Sequence, residues 1–239
     1  IIVASIEALA LRLPPRHFLS ARSLELRVNA HINLDHFRSH LSDAGYQNVT
    51  QVGAPGEFAV RGSIVDVWPM GNIQPVRIDL FDDQIDSLRY FDADSQRSLE
   101  SISELLCLPG REFAFDAEAI KTFRLRYRER FEGDVNRSII YTQISKGLSV
   151  GGIEYYLPLW FDELSSFFDY CPNAYIPVRL SPNVADKIVR ILEDIDERYE
   201  QRRYDIERPL LPPAEVFLTQ EELIQGLRLD QGIDCHSHA

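Results

Sequence analysis

Cysteine is scarce in this 239-residue chain, and the three present, Cys107, Cys171 and Cys235, stand 64 residues apart in both intervals. That spacing offers neither a disulfide framework nor a C-x-x-C metal or redox pair, and it fits a reducing cytosol. Long apolar runs are missing as well. The opening Ile1-Ile2-Val3-Ala4-Ser5 is soon interrupted by Glu7 and Arg12, so it is neither a secretory core nor a membrane span, and no later stretch spans a bilayer. Positive charge is in deficit: 25 Lys and Arg against 37 Asp and Glu leave a formal net charge of -12. Such a balance opposes wholesale phosphate neutralisation, although a local basic patch remains compatible with it. Catalytic signatures are absent too, with no nucleophile elbow and no H-E-x-x-H. Lys146 with Gly147, Gly151 and Gly152 superficially suggests a phosphate loop. G-x-x-x-x-G-K-[ST] requires Lys and Ser/Thr directly after the last glycine, where Ile153-Glu154 stand instead.

What remains is ordinary globular material, 45% hydrophobic and 26% charged, with room for one large or two ordinary domains. Its most regular stretch runs from Gly56 to Asp92. Phe58 and Val60 alternate with polar neighbours, as do Ile64, Asp66 and Trp68, then Val76, Ile78 and Leu80, then Ile85, Ser87, Arg89 and Phe91. Pro69-Met70-Gly71-Asn72 and Asp82-Asp83 are turn signals between these runs, so the stretch reads as an antiparallel meander. Alternation puts Arg77, Asp79 and Phe81 on the face opposite Val76, Ile78 and Leu80. An outward Phe81 beside Arg77, with Arg61 in reach if the register allows, has the composition of a binding hot spot. Pattern alone favours ordinary sheet chemistry: Phe81 folded over the hairpin end, and Arg77 and Arg61 paired across strands with Asp79, Asp66 or Asp86.

Elsewhere the pattern predicts a strand at Ile1–Ala4, a helix over Ile6–Leu13 capped by Ser5, and a strand at Leu24–Ile32. A helix capped by Asn33 follows, with Leu34, Phe37, Leu41 and Ala44 on its stripe and Gly45 at its end. His36 and His40 lie one turn apart there, without a third ligand, and read as a solvated face. Leu99, Ile102, Leu105 and Leu106 complete the module before Pro109-Gly110. Asp116 caps a helix striped by Ile120, Phe123, Tyr127 and Phe131, whose remaining surface is crowded by Lys121, Arg124, Arg126, Arg128 and Arg130. That basic face is either paired with acidic neighbours or touches DNA. Helices over Asn136–Lys146, from Ser181-Pro182, and from a Thr219/Glu222 capping box follow, ending in a Cys235-His236-Ser237-His238 tail that reads as no native metal site. The apolar start, inside a would-be strand, suggests a piece of a larger protein.

Two blocks carry a resemblance. Arg61-Gly62 through Pro69 fits R-G-x-[IVL]-[IVL]-[DE]-[IVL]-[FW]-P, and Arg77 through Ile85 fits R-[IL]-[DE]-[FL]-F-x-[DE]-x-I. In this order and approximate spacing they resemble the UvrB-homology module shared by UvrB and the transcription-repair coupling factor (Mfd) family. The resemblance extends to IIVASIEAL and to GIEYYLPLWF with FFDYCP, and is weakest after about residue 205. Asp94–Arg97 and Arg208–Pro213 look like the coupling factors. Where UvrB carries a D-E-x-H magnesium motif, Tyr175-Ile176-Pro177-Val178-Arg179 holds no carboxylate.

The resemblance implies an α/β (α+β) fold: a small antiparallel sheet domain with a flanking helix, inserted in a degenerate, helicase-like α/β lobe. Residues 1–22 would end lobe 1A, 23–109 form domain 2, and 110–239 form lobe 1B. It implies a non-catalytic, bacterial cytoplasmic module of the N-terminal region that recruits UvrA, the damage-recognition ATPase, through Arg61, Arg77 and Phe81. ATP and Mg would belong to a distant motor of the parent protein, and RNA polymerase and DNA to its other domains, with no membrane partner. A UvrB-type ATPase fragment and a DNA-contacting lobe are the alternatives.

Overall fold

A computed structural model describes residues 2–171, 178–179, 183–228 and 233–234. The chain divides into two compact units, residues 17–114 and residues 1–16 with 115–239. Its elements are α1 (Ile6–Ala10), α2 (Arg16–Arg22), β1 (Leu24–Arg27), α3 (Leu34–Asp43), β2 (Gln47–Asn48), β3 (Glu57–Arg61), β4 (Ile64–Val67), β5 (Val76–Phe81), β6 (Gln84–Phe91), β7 (Ser98–Ile102) and β8 (Glu104–Cys107). Then come α4 (Ala117–Arg130), α5 (Ile139–Ser145), α6 (Phe167–Tyr170), β9 (Val178–Arg179), α7 (Val184–Arg202), α8 (Pro213–Val216), α9 (Gln220–Gly226) and β10 (Ile233–Asp234). The fold is a mixed α/β one with a small, largely antiparallel sheet.

In the unit of residues 17–114, the sheet has strand order β2-β3-β4-β5-β6-β7, antiparallel except for the short β2–β3 pair. β1 pairs separately with β8. The core lies on one sheet face, where Phe58, Val65, Val67, Val76, Ile78, Ile85 and Leu88 meet Phe37 and Leu41 of α3. Helix α3 starts where expected, because the Asn33 side chain accepts the His36 N–H at 2.9 Å. It is followed by Gly45 in the left-handed region at φ +97°.

Several expectations change. The expected strand at Ile1–Ala4 is absent at residues 2–4, which have no strand partner. Helix α1 stops at Ala10 rather than Leu13, since Leu11 and Leu13 are drawn into bridges with Phe217 and Ser165. Strand β1 ends at Arg27 because Asn29 turns the chain at φ +70°. Helix α2 is additional. On β4 the core phase is Val65 and Val67, not Ile64, Asp66 and Trp68, because register opposes Val65 to Val60 and Ile78. A register irregularity opposite Asp79/Leu80 likewise puts Leu88 in the core, where unbroken alternation would place Ser87 and Arg89. Leu99 and Leu106 are exposed rather than core.

In the unit of residues 1–16 and 115–239, Leu9, Ala10, Ile188, Leu218, Leu223 and Leu227 form one core cluster. The Asp116 cap and the Thr219/Glu222 capping box form as expected. Helix α5 begins at Ile139 after a 3-10 turn at Val135–Arg137. Residues 181 and 182 and the Cys235–His238 tail lie outside the described residues, as do residues 172–177, which include part of the segment standing where UvrB has its magnesium motif.

A Cβ on Gly45 would lie 2.5 Å from Arg111 Cγ, at a backbone angle that L-residues rarely adopt. Gly45→Ala is therefore expected to destabilise the chain by about 1–3 kcal/mol, read as a lower urea midpoint.

Candidate partner-binding face

Register decides which side chains share the outer face of the sheet. Arg61 pairs with Ile64, Ile64 with Asp79, Asp66 with Arg77, and Arg77 with Arg89. Paired residues on neighbouring strands project to one face. Arg61, Ile64, Asp66, Arg77, Asp79 and Arg89 therefore lie together, opposite the core face of Val60, Val65, Ile78 and Leu88, and alternation along β5 adds Phe81. The register, which the sequence leaves open, thus brings Arg61 to the side of Arg77. Two tight turns fix this placement. Gly62 at φ +62° lets β3 reverse directly after Arg61, and Asp82 at φ +58° lets β5 reverse directly after Phe81.

At the centre stands Asp66, fully buried at 0% exposure. Arg77 donates to both its oxygens, Nε to Oδ1 at 2.7 Å and Nη2 to Oδ2 at 3.0 Å, and Arg61 donates to Oδ2 from the other side. A buried carboxylate without such partners would be severely penalised. Arg77 also donates from Nη1 to the Gln96 carbonyl at 3.2 Å, and its guanidinium lies over the Phe91 ring at 4.8 Å. Its hydrogen bonds to Asp66 hold it further in the charged form than usual, against the cost of its partial burial.

The three residues expected to form the site therefore differ. Phe81 is 76% exposed and does not fold over its hairpin. The Arg61 side chain is 47% exposed beyond its Asp66 contact, whereas the Arg77 side chain is 15% exposed with three of its donor bonds spent inside the protein. The cross-strand pairing that pattern reasoning favoured holds for both arginines, on Asp66, and fails for Phe81. Sequence reasoning named Asp66 only as one of three possible carboxylates. The signal that singles it out is a carboxylate inside the β-branched Ile64-Val65-Asp66-Val67 run, where burial demands cationic partners.

The basic helix α4 is largely engaged at home. Arg126 pairs with Asp162, Arg130 with Glu215 at 2.5 Å, and Lys121 with Glu118 at 3.5 Å, while Arg124 and Arg128 lie over Tyr141. Among the described residues no cluster of three or more His, Cys, Asp or Glu side chains is arranged to hold a metal, and no helix is long and apolar enough to cross a membrane.

The UvrB interaction domain family matches residues 24–113. Over 95% of its length the chain is 41% identical to the transcription-repair-coupling factor of Haemophilus influenzae and 39% identical to that of Escherichia coli. It is 29% identical to the Bacillus subtilis protein of the same name over 91% of its length. The chain spans about one fifth of the length of these relatives.

Replacing Asp66 by Ala leaves two guanidinium groups facing each other without their shared anion. The expected outcome is a loss of about 2–4 kcal/mol of stability, somewhat below the range for a fully buried pair because Arg61 reaches solvent. Denaturant unfolding followed by circular dichroism measures it.

Proposed function

The chain belongs, as a region about one fifth of their length, with the transcription-repair-coupling factors, and from that premise we propose that its outer sheet face binds UvrA and so recruits excision repair to stalled transcription. The observation that carries this reading is a large aromatic side chain standing 76% exposed at the tip of a tight hairpin, on the same sheet face as arginines fixed by a buried carboxylate. Isolated exposed apolar residues are unremarkable. One held rigidly on the face that carries fixed guanidinium groups matches a docking anchor, since aromatic and Arg residues dominate hot spots and preorganisation lowers the cost of binding.

Phe81 supplies the apolar anchor, and Arg61 offers its free edge to carboxylates on UvrA. Arg77 contributes a remaining Nη2 hydrogen and the rigid frame on which both stand. The module is non-catalytic in this reading, consistent with the match to an interaction domain. ATP, Mg, RNA polymerase and DNA are assigned to parts of the parent protein outside this face. A DNA-contacting role for α4 gains nothing from its arginines, which are committed to Asp162, Glu215 and Tyr141.

Phe81→Ala is expected to weaken UvrA binding by about 2 kcal/mol or more, with no lowering of the thermal midpoint because the side chain packs against little. Arg61→Ala should weaken binding less and shift the midpoint slightly. Arg77→Ala should lower binding and the midpoint together, since it removes the main partner of Asp66. Titration calorimetry with UvrA, alongside thermal unfolding, tests this; unaltered affinity in both Phe81→Ala and Arg61→Ala would overturn the assignment.

A further inference from the structure

Arg89 on β6 stands directly opposite Arg77 in the strand register, on the same outer face. Like charges placed so are mutually destabilising. The nearby anions relieve Arg89 only in part. Asp66 already accepts three hydrogen bonds from Arg77 and Arg61. Asp79 approaches Arg89 Nη1 only at 4.0 Å, and the same Asp79 oxygen, Oδ2, accepts the Ser87 hydroxyl at 2.8 Å. Ser101, opposite Arg89 on β7, is neutral. The Arg89 side chain is 43% exposed. The face thus holds an under-compensated guanidinium in a protein whose net charge is -12.

We propose that Arg89 is a further partner-contacting residue: with Arg77 it forms a cationic pair that receives a carboxylate of UvrA. This rests on the reading of the face as a UvrA-binding site and extends it from β3 and β5 to β6. A carboxylate seated between the two guanidinium groups replaces their repulsion with two charge-assisted contacts. Binding energy then comes partly from strain carried by the free protein. Removing Arg89 consequently separates stability from affinity, which loss of a purely structural residue does not do.

The test compares Arg89→Gln and Arg89→Glu with Phe81→Ala in the whole chain, measuring the thermal midpoint and UvrA affinity across a salt series. Both Arg89 variants are expected to keep or raise the midpoint, Arg89→Glu more so because it faces Arg77 with an anion. UvrA affinity should fall on the order of tenfold for Arg89→Gln and further for Arg89→Glu. The salt dependence of binding should become shallower in Arg89→Gln. Unchanged affinity in both Arg89 variants while Phe81→Ala loses binding would overturn the role of Arg89 and leave the face intact. A lowered midpoint in both Arg89 variants would also overturn it, marking the residue as structural. Undiminished affinity in Phe81→Ala as well would remove the UvrA reading itself, and this inference with it.

Discussion

The outer face of the sheet depends on one buried carboxylate. Asp66 lies on β4 with no solvent exposure, and it is held by arginines from both flanking strands, Arg61 of β3 and Arg77 of β5. Burying an ion there is costly unless both oxygens are satisfied, and removal of any partner exposes that cost. The side chains that meet this requirement are fixed as a result. Arg77 is pinned at three donor bonds and lies over Phe91, which belongs to a small second cluster with Val52 and Ala59. The turn from Asp92 to Arg97 is drawn in too, since the Gln96 carbonyl receives Arg77 and Gln96 sits in the left-handed region at φ +60°. One acidic side chain thereby orders three strands and a turn.

The hairpin bearing Phe81 is secured from a different direction. Residues 29–32, which leave β1 through the Asn29 turn, bond along its end: the Asn29 N–H donates to the Ile85 carbonyl and the Ile32 N–H to that of Asp83, each at 2.8 Å. His31 Nδ1 lies 2.9 Å from an Asp83 oxygen. On the inner side, Leu80 and Ile85 belong to the core. The aromatic ring is exposed, but the backbone presenting it is tied on both strands and at the turn. Rigidity without coverage is what lowers the entropic cost of docking.

Much of this was legible in the sequence because turn chemistry is local. Asn33, Asp116 and Thr219 declare helix starts, and Asp82-Asp83 declares a hairpin, through groups within a few residues. The outward placement of Arg77 and Phe81 follows from alternation along one strand. Phase across strands was not legible. Asp66 shares its alternation phase with Ile64 and Trp68, so periodicity alone enrolled it with apolar residues. Only pairing with Ala59 and Arg77 reveals that phase as the outer face. The irregularity opposite Asp79/Leu80 similarly moved the β6 core positions from odd to even numbering, a tertiary event with no local signature. Resemblance to the UvrB-homology module named Arg61, Arg77 and Phe81 but not their unequal exposure, since a motif records residue types and not how many donors the fold has already used.

That inequality changes how charge on this face acts. The chain carries a net charge of -12, so an acidic partner meets repulsion over most of its surface. On the outer face, Asp66 is buried and neutralised by two arginines, while Arg61 and Arg89 still reach solvent and Asp79 is 28% exposed. Local attraction within a repulsive background selects orientation more strongly than it raises affinity, because misdocked encounters gain no compensating contact. Phe81 then adds an apolar contact that screening by salt does not weaken. In the proposed reading such a face discriminates through charges that the buried Asp66 holds in place and retains its partner through an aromatic ring that a separately secured hairpin presents.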